Sequence, residues 1–123
     1  MDMGPVNWAA VILAAMLAVA IGFVWRGPLF RQSRWPHYAV TGGVMLLASA
    51  MLGHAYARIG AETLAVKPWL YLMQSGGIAT AFVIPAVMLT MARARVSWQE
   101  RLLDAGYWLI AYLAMGTVFW LLT

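Results

Sequence analysis

The residues best placed to do chemistry are His54, Arg58 and Glu62, which follow one another at intervals of four. Side chains four residues apart lie on one face of a helix, so a continuous helix would align them. Gln74 lies at a similar depth in the next apolar stretch and could hydrogen-bond His54 if the two helices pack together. A histidine inside a membrane could relay a proton, ligate a metal or contact a polar head group. These four residues form the predicted ligand-binding site.

A structural interpretation fits the same residues. Gly60 could end the helix, which would place Glu62 in a loop and interrupt the row. Arg58 would then extend to the membrane interface, as long basic side chains do near helix ends. His54 would be a neutral packing residue with a hydrogen bond. At the level of sequence, the site and the packing interpretation both remain open.

Residues that most enzymes rely on are missing or scattered. The chain has no cysteine, which excludes disulfides, thiol catalysis and thiolate metal sites. His37 lies beside the opposite interface from His54, so one chain cannot supply two axial histidines to a haem in the membrane. There is no cluster of Asp, Glu and His for metal-assisted hydrolysis and no serine with triad partners. The sequence therefore predicts no catalytic residue and no metal site, and it leaves the cofactor unknown.

Four long apolar stretches must position these side chains. The chain of 123 residues is 64% hydrophobic and 10% charged, whereas about a quarter of the residues of soluble proteins are charged. Each stretch has about the 20 residues that a helix needs to cross a bilayer, and backbone groups in lipid must pair internally. The stretches cover about residues 6–25, 38–59, 69–92 and 102–123. We therefore predict an all-α integral membrane four-helix bundle, up-down-up-down, in one transmembrane domain over residues 1–123.

The basic residues predict which way the bundle sits. The first and third connections carry six arginines, against Arg58 and Lys67 on the other side. Basic connections stay in the cytoplasm, so both termini are predicted on the outer side of a bacterial inner membrane. The six are Arg26, Arg31, Arg34, Arg93, Arg95 and Arg101.

The same arginines predict lipid as the partner. The net charge is +4, but the basic residues are dispersed beside aromatic residues and form no continuous basic stripe. That pattern favours a membrane surface over nucleic acid. Five of the six arginines, all except Arg101, are predicted to contact anionic head groups.

Small residues recur at every fourth position of the first span. Residues of this size let two helix backbones approach closely, which is how membrane helices gain packing energy. We expect packing within the bundle, with homodimerisation through this face as the alternative. The four residues are Ala10, Ala14, Ala18 and Gly22.

Local signals predict where the later helices begin and bend. Ser97 and Glu100 form a capping box, which starts the fourth long helix before it enters the lipid. Pro85 lies inside the third stretch and predicts a kink there.

Two segments are typical of a known family. One is Val6-Asn7-Trp8 opening a span that ends in W-R-G-P-L-F at 25–30, and the other is D-A-G-Y-W at 104–108 leading into L-A-M-G at 113–116. Over nearly its whole length the chain resembles a family of small four-span bacterial integral membrane proteins classed as a domain of unknown function, with an N-terminal W-x-G-P-L-F motif and a C-terminal A-G-Y motif. It differs at Arg26, where the family often has an aromatic residue, and at Trp108, where a histidine is common. The resemblance implies a four-helix membrane protein and no established activity.

Three functional hypotheses follow. The leading one is a non-enzymatic inner-membrane protein that associates with itself or serves as an accessory subunit of another membrane protein. The second is a small-molecule transporter with a shallow polar site at His54, Arg58 and Gln74. The third is a membrane enzyme or cofactor binder for a lipophilic ligand between the helices.

Overall fold

The computed structural model describes residues 6–29 and 38–122, and this part of the chain contains helices and no strand. Four helical segments are long and apolar enough to cross a membrane: Trp8–Gly27, Ala39–Ile59, Leu70–Arg93 and Trp98–Leu121. The prediction of an all-α protein with four spans is therefore confirmed. The helices are α1 (Trp8–Val24), α2 (Tyr38–Ile59), α3 (Ala61–Val66), α4 (Leu70–Ile78), α5 (Ile84–Arg93) and α6 (Trp98–Leu121), with π-helical turns at Trp25–Leu29 and Ala79–Val83.

Short-range hydrogen bonds set several of the helix ends. Asn7 Oδ1 accepts the amide of Ala10 at 3.1 Å at the start of α1. Ser97 Oγ accepts the amide of Glu100 at 3.3 Å at the start of α6, as the predicted capping box requires. Gly60 has a φ of 96°, a left-handed conformation that glycine adopts without a Cβ penalty. The backbone therefore changes direction at Gly60, and α2 does not continue into α3.

Each π-helical turn is associated with a proline. A proline has no N–H to donate to the carbonyl four residues earlier, so an α-helix loses one bond there. In the second turn, the amide of Ile84 instead donates to the carbonyl of Ala79, five residues earlier, and Pro85 follows directly. Pro28 lies within the first turn. The bend predicted at Pro85 corresponds in the structure to this single wider turn.

The long helices are antiparallel neighbours. Asn7 Nδ2 donates to the carbonyl of Leu122 at 3.0 Å, which joins the start of α1 to the end of α6. The indole N–H of Trp25 donates to the carbonyl of Leu103 at 2.9 Å, which joins the opposite ends of the same two helices. We call the end with Arg26, Arg93 and Arg101 the arginine end, and the end with Asn7, Ile59 and Leu122 the terminal end.

The bundle is built around α1 and α6. Helix α1 packs along α2 on one side and along α6 on the other, and α6 also packs along α4 and α5. Helix α2 meets the third span mainly through α4, close to the terminal end. Toward the arginine end, α2 and α5 make little or no contact with each other.

The small residues of α1 lie inside this arrangement. Ala10, Ala14 and Ala18 are fully buried, and Gly22 is buried with them. Ala18 and Gly22 both contact Tyr107 of α6. In the structure this face is therefore buried within the chain, partly against α6.

The third span is the least enclosed of the four. In its most apolar stretch, 11% of the residues are buried, against 33% in each of the other spans. Its second half, α5, contains no buried residue. One span of the bundle therefore presents most of its surface outward.

Replacing Gly116 with alanine tests the contact between α4 and α6. A Cβ at Gly116 would lie 2.8 Å from the Tyr71 carbonyl and against Ser75 Oγ, so the α4 backbone would have to move. We expect Gly116→Ala to lower the free energy of unfolding by about 1–3 kcal/mol, the usual cost of overpacking. Reversible unfolding in mixed micelles measures this.

Gly43→Ala is the matched control, since a Cβ at Gly43 meets nothing within 4 Å. This variant should be as stable as the parent, or more stable by up to about 1 kcal/mol because alanine favours helix. Equal stability of the Gly116→Ala variant and the parent would contradict the close approach of α4 and α6.

Candidate functional site

The four predicted site residues do not converge. Arg58 is exposed near the end of α2, and Glu62 is exposed in the first turn of α3, beyond the break at Gly60. Gln74 is half-buried on α4. Among the described residues no hydrogen bond or ion pair joins any two of His54, Arg58, Glu62 and Gln74. The continuous row expected from sequence is interrupted because Gly60 ends α2.

His54 is oriented by its own helix and by α1. Its Nδ1 lies 2.7 Å from the carbonyl oxygen of Ala50, and a carbonyl only accepts, so Nδ1 carries the hydrogen. The edge of the ring meets Trp8 at a centroid distance of 5.8 Å and an interplanar angle of 82°. In the neutral ring Nε2 then keeps its lone pair. These contacts match the packing interpretation of His54, and Nε2 is the atom left for any ligand.

Arg26 turns into the bundle at the arginine end. Its guanidinium carbon lies 4.4 Å from the ring centroid of Tyr107, and the residue is 9% exposed. A cation over an aromatic face is attracted by the electron density of the ring. Gly22 makes the space, because a Cβ there would lie 2.8 Å from Arg26 Nη1. Arg26 was predicted to contact lipid head groups, but the π-helical turn and Gly22 place it on Tyr107.

Trp25 makes the second contact at the same end. Besides its bond to the Leu103 carbonyl, its indole packs on Gly106, where a Cβ would lie 3.0 Å from Trp25 Cζ2. We call Trp25, Arg26, Leu103, Gly106 and Tyr107 the motif clasp, because it joins the two segments on which the family resemblance rests. From the sequence, the two segments were linked only by the family resemblance. The signal that could have paired them is that both carry aromatic residues beside glycine at the same end of neighbouring spans.

The buried tyrosines differ in how their hydroxyls are paired. Tyr107 donates to the Ala18 carbonyl at 2.8 Å, and Tyr56 donates to the Tyr71 carbonyl at 2.6 Å. Tyr112 is 8% exposed, but its hydroxyl has no hydrogen-bond partner within the described part of the chain. Because every fully enclosed side-chain oxygen in the described ranges has a partner, the Tyr112 hydroxyl is an accessible tip on a mostly buried ring.

The remaining arginines lie at the surface of the arginine end. Arg93 and Arg95 are exposed, which is compatible with the predicted head-group contacts. Arg101 lies over the Trp98 ring at 4.7 Å and donates from Nε to the Val96 carbonyl at 2.8 Å. Arg31 and Arg34, predicted to contact the same head groups, lie outside the described residues.

One concavity on the bundle is apolar. A groove of about 620 Å³ runs between α1 and α2, from Ile12 to Phe23 on α1 and past Gly42 and Leu46 on α2. Its wall is almost wholly hydrocarbon. In the described ranges no group of three or more His, Cys, Asp or Glu side chains could hold a metal ion. The arrangement can therefore bind apolar chains, and it brings together no set of groups for acid–base or metal chemistry.

Removing the Tyr107 hydroxyl tests the motif clasp. Tyr107→Phe deletes the bond to the Ala18 carbonyl, which keeps only its bond within α1. We expect a loss of about 0.5–1.5 kcal/mol in the free energy of unfolding. Tyr112→Phe is the control, because it removes a hydroxyl from another buried tyrosine of α6 that pairs with no described residue, and it should not be destabilised. Equal losses of unfolding free energy in Tyr107→Phe and Tyr112→Phe would contradict a stabilising bond from Tyr107 to Ala18.

Comparison with known proteins agrees with this description. The profile of one protein family, described as "Protein of unknown function (DUF1761)", matches residues 9–120. No curated protein and no solved structure matches the chain. The match spans all four membrane-crossing helices and both segments of the motif clasp. The chain is therefore a member of the DUF1761 family, a family of unknown function.

Proposed function

We propose that this protein is a non-enzymatic membrane subunit that associates, with a second copy of itself, through its third span. The observation that carries the proposal is the low burial of that span, 11% against 33% in the other three. The other spans use their small residues or aromatic residues to pack within the chain. The third span has the surface left for a partner.

The exposed face of the third span suits close helix packing. Met73, Gly77 and Ala81 recur at intervals of four, and all three are exposed. A Cβ at Gly77 would meet nothing within 4 Å, so the surface is flat and accessible there. Small residues four apart allow another backbone to approach closely. Gly77 and Ala81 therefore give this face one pair of small residues at the spacing that the first span uses inside the bundle.

The π-helical turn adds polar groups to this face. Ile84 donates its amide to Ala79, and Pro85 has no amide to donate. The carbonyls of Thr80 and Ala81 therefore lose their ordinary donors four residues later. Thr80 is itself exposed near the middle of the span. Unpaired polar groups in hydrocarbon are unfavourable, so a partner helix that pairs with them gains stability.

The proposal includes an orientation and a location. With the arginine end in the cytoplasm, Arg93 and Arg95 would meet the anionic head groups of a bacterial inner membrane. The charge asymmetry of the sequence supports this orientation. The transporter hypothesis has weaker support, because no described contact joins His54 to Arg58 or Gln74.

Adding bulk at Gly77 tests the association. Gly77→Leu places a large side chain on the proposed interface without touching the rest of the chain. We expect the parent protein to be a dimer or higher oligomer in mild detergent and Gly77→Leu to be mostly monomeric. Native mass spectrometry measures the distribution at several protein concentrations.

Gly43→Leu is the control of equal bulk. Gly43 is exposed on α2, and a Cβ there also meets nothing within 4 Å. This variant should associate like the parent. A monomeric parent protein, or an equal effect of both substitutions, would refute association through the third span.

A further inference from the structure

Tyr112 is a polar side chain in the bundle without a partner. Its ring is 92% enclosed, that is 8% exposed, and its hydroxyl donates to no described residue. Every fully enclosed side-chain nitrogen or oxygen among the described residues has a partner. The hydroxyl is therefore the accessible tip of an otherwise buried ring. An accessible phenol on a mostly buried ring can donate to a molecule that reaches it from outside the chain.

The direction of Tyr112 follows from its neighbours on α6. Trp108, Tyr112 and Phe119 are separated by four and seven residues, which places them on one face of the helix. Phe119 meets the ring of Tyr56 on α2 at 5.1 Å near the terminal end. Tyr112 and Trp108, with ring centroids 6.3 Å apart, continue this face toward the arginine end. Tyr112 therefore faces the region between α2 and the third span.

That region is open toward the bilayer. Helix α2 packs against the third span mainly through α4, and α5 contributes no buried residue. Trp108, one turn nearer the arginine end, is half-buried. A flexible apolar molecule could therefore reach the hydroxyl of Tyr112 between α2 and α5, past the Trp108 ring.

We propose that the Tyr112 hydroxyl donates a hydrogen bond to the carbonyl oxygen of a lipophilic ligand that enters between α2 and α5. A phenol is a good donor, and carbonyls on apolar chains are the acceptors that a bilayer supplies. The carbonyl could belong to the ring of a lipid-soluble quinone or to the ester of a phospholipid.

The experiment measures binding of two probes to purified protein. The first is a benzoquinone with a decyl tail, titrated in lipid-free micelles and followed by quenching of tryptophan fluorescence. Trp108→Phe identifies the quenched residue, since Trp108 lies against Tyr112. The second is phosphatidylglycerol in vesicles, followed by native mass spectrometry of the released protein.

We expect Tyr112→Phe to raise the Kd of the probe that binds roughly 3- to 10-fold, because one neutral hydrogen bond is lost. Tyr107→Phe is the control, because its hydroxyl already donates to Ala18 and binding should not change. Tyr112→Phe removes no bond within the described chain, so its unfolding curve should match that of the parent.

The site is supported if a probe binds Tyr112→Phe more weakly than the parent and binds Tyr107→Phe as tightly as the parent. The probe that shows this difference identifies the source of the carbonyl. If neither probe binds saturably, or if the parent and Tyr112→Phe bind equally, the proposal is refuted. Failure of the ligand site can be distinguished from failure of the association. Tyr112→Phe leaves the third span unchanged, and Gly77→Leu leaves α6 unchanged.

Discussion

The structure depends on the pairing of polar groups where no water is present. In hydrocarbon an unpaired hydroxyl or amide is unfavourable by several kcal/mol, so a membrane bundle must satisfy each one internally. The side chains here do so by donating to backbone carbonyls. Ser49 donates to Val11, Tyr56 to Tyr71 and Tyr107 to Ala18, each between different helices. These bonds set the distance and register of α1, α2, α4 and α6 more specifically than apolar contact could.

Two exceptions to this pairing among the described residues are the places where we infer a partner. The carbonyls of Thr80 and Ala81 lose their donors at the π-helical turn, on the face that is least covered. The hydroxyl of Tyr112 lacks a described partner on the face that opens between α2 and α5. One exception faces outward from the third span, where another helix fits. The other lies on α6, where we propose that a lipophilic ligand binds.

The four spans could be predicted from the sequence because length and hydropathy determine them locally. The capping bond of Ser97 and the break at Gly60 could also be anticipated from residue type. The inward turn of Arg26 could not, because it depends on a missing Cβ at Gly22 and on Tyr107, about eighty residues away. The lack of a described partner for the Tyr112 hydroxyl could not be predicted either, because it depends on which acceptors the neighbouring helices place near it. The row from His54 to Glu62 required a continuous helix that the φ of Gly60 interrupts.

Isotope-edited infrared spectroscopy of single carbonyls tests the pairing most directly. A labelled Ala18 carbonyl should absorb at the lower frequency of a bonded group and shift upward in Tyr107→Phe. A labelled Thr80 carbonyl should absorb at the higher frequency of a free group in dilute monomer and shift downward as the protein associates. The account would be contradicted if the Ala18 band did not shift in Tyr107→Phe and the Thr80 band of the monomer already lay at the bonded frequency.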